Sequence, residues 1–389
     1  MTDENTVTKP MPDQHTSDDT DELLYADLFS GCGGMSLGFE KAGFECVGAV
    51  DKNEHACETY EYNIGTEPIS EDITEYTADD LLERFGIKQG ELDVLISCAP
   101  CQGFSQHRNK DDIEHDERNS LVSFSAELAV EMEPEFFVME NVPELIRGSK
   151  EKYWDRTYEI LKEANYLVKS DILNAADFGV PQRRHRAIII GRKNGREVEL
   201  PNQTVDEHRT VREAIGDLPP VGAGEQDPDD PMHQAPNHTK RIVEMLDLIP
   251  KDGGSWMDIP EPHQDEYWLD SMKKRAENGN LGSYCDTYGR MHWDRPAGTI
   301  TRKSSTPSCG RYVHPEQNRN ITVREAARLQ TFPDDWEFQG PFISSYEQNG
   351  NAVPPKLAEE IAKEIKNWIS VKSKGERQAT LDKTFSNQT

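Results

Sequence analysis

A thiol, a carboxyl group and a glycine-rich loop are the parts of this sequence whose types and spacing bear on chemistry. Cys101 lies in Pro100-Cys101-Gln102-Gly103-Phe104-Ser105, directly after the apolar run 92–97. A cysteine at a strand end near a helix N-terminus has a lowered thiol pKa and serves as a nucleophile. The commoner cysteine is an inert core residue, but Pro, Gln, Gly and Ser make an odd core. Glu140 ends the next apolar run, 136–139, and Asn141 follows it. A thiol and a carboxyl group in one crevice suit attack on a pyrimidine ring, with a sulfur to add and an acid to protonate a ring nitrogen. The plainer reading of Glu140 is a cap on the following turn.

Ser30-Gly31-Cys32-Gly33-Gly34 sits between an apolar run and a helical pattern. Such a loop brings backbone close to a ligand and offers amide donors at a helix N-terminus. Asp51 follows about 20 residues after Gly31, where an acidic group binds ribose hydroxyls in dinucleotide folds. A nicotinamide or a flavin would fit this loop equally well, and a tight structural turn is the bland alternative. Arg183-Arg184-His185-Arg186 is a basic run. Most such runs are solvated faces.

These residues need a scaffold, and the chain alternates strand and helix patterns to supply one. Apolar runs at 24–29, 46–50, 92–97, 136–139 and 187–190 read as strands. The stretches 35–42, 54–62, 121–132 and 153–164 read as helices. Alternation of this kind predicts an α/β fold, doubly wound, with a mostly parallel sheet covered on both faces. Ligands then bind beyond the carboxyl ends of the strands, where Gly31, Asp51, Cys101 and Glu140 all fall. Residues 201–318 are rich in Pro, Gly, Asp and His and lack periodicity, which predicts a smaller domain of irregular structure. Regularity returns at 322–329, with Thr322 as N-cap and Glu325 three residues on, and at 355–368. The expected division is a disordered acidic N-terminus (1–22), a large domain (23–200 plus 319–370), the small domain (201–318) and a loose tail (371–389).

The net charge of −29 argues at first against nucleic acid, whose phosphates normally meet clustered Lys and Arg. Local charge is a separate matter. Arg183–Arg186, Lys273–Arg275 and Arg302-Lys303 are basic clusters on an acidic body, and for 273–275 a solvated face is the preferred reading. The acidic excess itself resembles that of proteins from salt-loving organisms. The seven cysteines, odd in number and without a secretion signal, argue against a disulfide framework. Cys98 and Cys101 form a single C-x-x-C with no second pair, so metal binding is set aside. No apolar stretch approaches the ~18 residues of a membrane span, and a cytoplasmic protein is expected.

Taken together, the residues from Asp27 to Ile365 resemble the bacterial and archaeal DNA (cytosine-5)-methyltransferases. Asp27-Leu28-Phe29-Ser30-Gly31-Cys32-Gly33-Gly34 is similar to the family's first cofactor motif, Asp51 to the acidic position of the second, and Asp72-Ile73 to the third. Pro100-Cys101-Gln102 resembles the nucleophile motif and Glu140-Asn141-Val142 the acid motif. Gln182-Arg183-Arg184-His185-Arg186 resembles the family's Q-x-R-x-R. The stretch from Arg295-Pro296 to Gln330 resembles the ninth motif, and Gln348 to Pro354 the tenth. The motifs also keep the family's order.

The resemblance implies a Rossmann-like S-adenosylmethionine-dependent methyltransferase sheet with a target-recognition domain at 201–318. It implies that Phe29, Ser30, Gly31, Gly33, Gly34, Asp51, Asp72, Ile73, Pro100, Asn351 and Val353 hold S-adenosyl-L-methionine. Cys101 would add to cytosine carbon 6, and Glu140 would share a proton with N3. Arg186 would hold O2, Arg184 would fix the Cys101 loop and the DNA backbone, and Asn141 would orient that loop. The base would be flipped out of the duplex, and the polar stretch 102–118 would close over it. Gln102, Ser105, Arg290, Arg302, Lys303 and Arg311 are the expected contacts to double-stranded DNA. A monomer is expected, with or without a cognate restriction endonuclease. Three rival readings compete with this one. A tRNA-acting relative lacks support, because its Cys-Phe-Thr signature is missing from 250–312. A non-catalytic relative would have lost Cys101, Glu140 or the glycine loop. A nicotinamide oxidoreductase gives Pro-Cys-Gln and Glu-Asn-Val no role.

Overall fold

The computed structural model describes residues 22–100, 120–147, 151–279 and 282–386. Six strands form one sheet: β1 (Leu23–Leu28), β2 (Phe44–Val50), β3 (Val94–Ser97), β4 (Phe136–Asn141), β5 (Leu167–Asn174) and β6 (His185–Arg192). Their order is β2-β1-β3-β4-β6-β5. The first four run parallel. β6 is antiparallel to both β4 and β5, so the sheet is mixed.

The central strands carry unbroken apolar side chains because both faces are covered. Every residue of β3 and β4 is buried. One face packs on α3 (Ala78–Phe85), α4 (Ser120–Met132) and α5 (Glu151–Glu163) through Leu81, Val122, Ala126 and Leu161. The other packs on α1 (Gly34–Lys41) and on the helix Pro355–Ser386, through Phe39, Leu357, Ile361 and Ile365. The far end of the chain thus returns to complete the same core. That last helix continues through the residues expected to form a loose tail.

β5 has no counterpart among the expected strands. It is an edge strand whose middle, Lys169-Ser170-Asp171, is polar and largely exposed, so no apolar run marks it. Among the described residues, 201–318 carries short helices such as Lys240–Leu248 and Asp270–Asn278 and only isolated bridges, such as Arg290 with Val313. Its core gathers on Trp256, Met245, Leu246 and Met272. Thr322 and Glu325 form the capping box expected at the start of the helix Val323–Leu329. Glu325 also meets Arg319 in an ion pair that is fully enclosed, at 2.7 Å.

Candidate active site

β1 ends at Leu28, and the chain then turns sharply. Phe29 takes the left-handed region at φ 59°, uncommon for an aromatic residue, and Gly31 follows at φ 52°. α2 (Glu54–Ile64) begins just beyond Asp51. The Asp51 carboxylate accepts the Gly31 N–H at 2.9 Å and the Asn53 N–H at 2.8 Å, so it braces the glycine loop from the neighbouring strand end. Burial pushes the Asp51 carboxyl above its ordinary value, against the pull of those two N–H groups. Gly34 lies so close to the far end of the chain that a Cβ there would come within 2.3 Å of the Val353 carbonyl oxygen. No larger residue fits between the loop and Val353 without moving backbone.

These residues line one cavity of about 720 Å³. Phe29, Ser30, Gly31 and Gly34 form one wall, and Asp51, Asp72 and Ile73 form the next. Asn351 and Val353 close it from the opposite end of the sequence. Gly33 does not line it. At φ 88° it is the turn that admits α1, and a Cβ there would meet Tyr60 at 3.1 Å. Two polar atoms on the wall are buried and have no hydrogen-bond partner among the described residues, the Ser30 Oγ and the Gln348 Oε1. The Gln348 Nε2 already donates to the Gln339 carbonyl at 2.9 Å, which fixes the free oxygen in place. Gln348 was quoted in the tenth motif without a role. Lys52 was missed altogether; it also lines the cavity and pairs with Asp72 at 3.1 Å. Lys52, next to Asp51, marks no motif by type, so only the fold reveals it.

The same cavity reaches the ends of β3 and β4. These strands pair in parallel, Ser97 beside Met139, so Pro100 and Glu140 come to its rim together. The Asn141 side chain donates to the Ala99 carbonyl at 3.3 Å, tying the two strand ends. Cys101, Gln102, Ser105 and the stretch 102–118 lie outside the described residues. Cys98 is described and is no candidate nucleophile, since burial and then the Asp27 and Glu140 charges push its thiol well above the ordinary range. Burial likewise pushes Cys32 to about 12 and Cys57 to about 11.

Arg186 projects from β6 beside Glu140, its Nε 2.9 Å from the Glu140 Oε1. Among the described residues that oxygen accepts no hydrogen bond, so the pair has charge contact alone. A second group brought to Glu140 would therefore find a free acceptor. Arg184 departs from expectation. It is buried and donates to the carbonyls of Ile300 at 2.9 Å, Gly350 at 3.1 Å and Ala352 at 2.9 Å. It staples the chain internally and has no nitrogen turned to a DNA backbone. Burial, and then the charge of Arg186, lower its pKa to about 9.

The expected DNA contacts divide sharply. Arg290 is corrected: it is fully buried, and its guanidinium donates to the carbonyls of Ile249, Leu246, His314 and Gln317 and to Asn318. Five acceptors around one guanidinium make it the hub of the small core. Arg311 is half-buried and held by Asp286 and by the Gly253 and Arg290 carbonyls, so it too serves the interior first. Arg302 and Lys303 are exposed, and Arg302 stands at the cavity wall. Residue type alone cannot separate a buried arginine from a surface one.

The model of C-5 cytosine-specific DNA methylases matches residues 24–367. The chain belongs to that family. It is a DNA (cytosine-5)-methyltransferase. Among curated relatives of this methyltransferase, the Type II methyltransferase M1.HphI of Haemophilus parahaemolyticus is 39% identical over 345 residues, covering 88% of this chain and 86% of the relative. The Type II methyltransferase M.Eco47II of Escherichia coli is 34% identical, over 87% of this chain and 78% of its own. A crystal structure from Escherichia coli, titled as a prophage-encoded putative DNA modification methyltransferase, superposes with a TM-score of 0.66 at 27% identity, over 90% of this chain and 100% of that one. The methyltransferase EhMeth of Entamoeba histolytica shares the fold at a TM-score of 0.61 and 15% identity, over 90% and 99%.

Proposed function

We propose that this methyltransferase transfers the methyl group of S-adenosyl-L-methionine to carbon 5 of a flipped-out cytosine in duplex DNA, through a covalent adduct with Cys101. The observation that carries the proposal is the shared cavity. It holds the glycine loop, Asp51 and Asp72 at one end, and Glu140, Arg186 and the strand end leading to Cys101 at the other. The cavity's size and its orphaned Ser30 Oγ and Gln348 Oε1 fit a polar, nucleoside-sized cofactor. Asp51 would take the ribose hydroxyls, Asp72 and Ile73 the adenine, and the Gly31 loop with Ser30 and Gln348 the amino-acid end. When bound, the cofactor supplies an electrophilic methyl on a sulfonium.

Cytosine carbon 5 is a poor nucleophile by itself. The Cys101 thiolate forms a bond to carbon 6 while Glu140 places a proton on N3, so that the electron pair gathers at carbon 5. Arg186 holds the cytosine O2 beside that carboxyl group. Asn141 restrains the Ala99 carbonyl at the root of the Cys101 loop. Carbon 5 would take the methyl group as the methyl–sulfonium bond breaks and its electron pair stays on sulfur, leaving a neutral thioether; a base then removes the carbon 5 proton. The electron pair of that C–H bond restores the double bond, the carbon 6–sulfur bond breaks and N3 loses its added proton. The duplex must open to admit the base. The family relatives named as Type II enzymes support a place in restriction–modification, with a cognate endonuclease as partner. No described helix is long and apolar enough to cross a membrane.

The test uses isotope-labelled S-adenosylmethionine with genomic DNA over a range of potassium chloride concentrations. The parent gives labelled 5-methylcytosine by mass spectrometry and the Cys101→Ser variant gives none. Label in RNA alone, or in no nucleic acid at any salt, contradicts the proposal.

A further inference from the structure

This protein is short of cations, with 43 Lys and Arg against 72 Asp and Glu. Most described cations are accordingly paired. Arg147, Arg156, Lys169, Arg192 and Arg212 each meet a carboxylate within 3.1 Å. Against that background, four exposed cations on two hydrogen-bonded segments, one of which reaches the cavity wall at Arg302, stand apart. Arg183, Arg295, Arg302 and Lys303 are exposed and make no ion pair among the described residues.

They flank one pair of chain segments. The Arg183 N–H donates to the Ala297 carbonyl at 2.8 Å, and the Thr299 hydroxyl donates to the Arg183 carbonyl at 2.9 Å. One step away, Gln182 forms a parallel bridge with Ala297. Its Oε1 accepts the Ile300 N–H at 2.8 Å, and Arg184 holds the Ile300 carbonyl. Alternation along 182–184 buries Gln182 and Arg184 and turns Arg183 outward. The segment 300–303 is equally fixed. A Cβ on Gly350 would stand 2.0 Å from the Arg302 nitrogen, so the backbone that carries Arg302 and Lys303 lies directly on the cavity's closing wall.

Two nearby carboxylates are neutralised by other groups, while Asp252 and Glu347 remain as acidic neighbours of the segment and the cavity. Asp294, next to Arg295, is held by Arg212 at 2.8 Å, and Arg212 lies over the Trp293 ring. Asp286 is held by Arg311 at 2.9 Å. His292 is depressed first by burial and then by Arg295 and Arg311, with Asp252 opposing them and Arg183 adding to them.

We infer that Arg183, Arg295, Arg302 and Lys303 form a phosphate-binding ledge that seats the duplex backbone beside the flipped cytosine. The inference rests on the function proposed above and names which cations meet the polymer. A chain of net charge −29 is repelled by DNA at long range. An unpaired group of cations on the segments that reach the cavity wall at Arg302 offsets that repulsion close to the site. The Q-x-R-x-R run then divides its work: Arg184 faces inward to staple, and Arg183 faces outward to a phosphate.

Each phosphate contact releases condensed counterion, so removing one lowers the slope of log K against log salt by about 0.9. The experiment measures binding of a mixed-sequence duplex by fluorescence anisotropy over a potassium chloride series. It compares the parent with Arg183→Gln, Arg295→Gln and the double variant. Lys274→Gln, an exposed lysine in the helix Asp270–Asn278, is the control. Binding of S-adenosylhomocysteine reports the fold and the cofactor cavity. The expected result is a slope reduced by about 0.9 in each single variant and about twice that in the double. The control slope and cofactor affinity stay unchanged, and KM for DNA rises with kcat held. Parent-like slopes in both single variants overturn the ledge and leave the proposed function standing. A parent with no salt-dependent duplex binding overturns both.

Discussion

The Nε of Arg186 lies 2.9 Å from the Oε1 of Glu140, and both side chains are largely enclosed. The pair sets a guanidinium and a carboxyl group on adjacent antiparallel strands, where one can hold a pyrimidine oxygen while the other serves the neighbouring ring nitrogen. Glu140→Gln keeps the shape and removes the acid. Methyl transfer should fall roughly 10²- to 10⁴-fold, with S-adenosylhomocysteine affinity unchanged. Single-turnover rates check this, and a rate within a few-fold of the parent would remove Glu140 from the chemistry.

Asp51 braces the Gly31 amide and faces the cavity. Asp51→Ala removes a carboxyl acceptor from two N–H groups and from any ribose hydroxyl. Hydrogen bonds to charged groups contribute about 1.5–3 kcal/mol, so cofactor affinity should fall about 10- to 100-fold. Calorimetric titration with S-adenosylhomocysteine measures it. Duplex binding without cofactor should stay near the parent value, because Asp51 braces the glycine loop and the start of α2 and not the segments that carry the ledge.

Arg184 donates to carbonyls on two segments distant in sequence, Ile300 and Gly350–Ala352. The first leads to Arg302 and the second to the cavity wall at Val353. Lysine is a point donor and cannot span both. Arg184→Lys should therefore weaken cofactor and duplex binding together and reduce the factor by which one ligand tightens the other. Measuring each affinity with and without its partner ligand gives that factor. Loss of thermal stability with the factor intact would mark Arg184 as scaffold alone.

Asp27 lies in the centre of the sheet, and burial raises its carboxyl to about 7, with the Ser36 hydroxyl at 2.6 Å pulling the other way. The folded value exceeds the unfolded value near 3.9. Its stabilising contribution is therefore complete below about pH 4, is lost as pH rises towards 7, and is constant above that. Asp27→Asn keeps a neutral group at every pH. The variant's thermal midpoint relative to the parent should rise between pH 5 and pH 8.5. Any constant packing cost cancels in that difference, and a difference independent of pH would contradict the assignment.

Much of the cavity was legible because its residues sit at strand ends. Gly31, Asp51 and Glu140 close apolar runs, and runs are visible in a sequence. What failed to show was burial of polar groups. Arg290 and Arg302 are the same residue type in the same polar stretch, yet one is the hub of a small core and the other is exposed at the cavity wall. Only the carbonyls of Leu246, Ile249, His314 and Gln317, contributed from several turns, make that distinction. Gln348 was missed for a related reason, since its role depends on which of its two amide atoms is already bonded. β5 escaped because an exposed edge strand need not be apolar, and the antiparallel turn of β6 follows from that unrecognised neighbour.

The central claim is attack by Cys101 on a cytosine in DNA, and a trapped adduct tests it most directly. Duplex in which 5-fluorocytosine replaces cytosine allows addition and methyl transfer, but fluorine cannot leave as a proton does, so the carbon 6–sulfur bond persists. Incubation with S-adenosylmethionine, digestion and mass spectrometry should find the methylated, fluorinated base on the peptide that contains Cys101. The complex should resist denaturant and should be missing from the Cys101→Ser variant. Methylated DNA with no covalent complex, or an adduct on any other residue, would contradict the account.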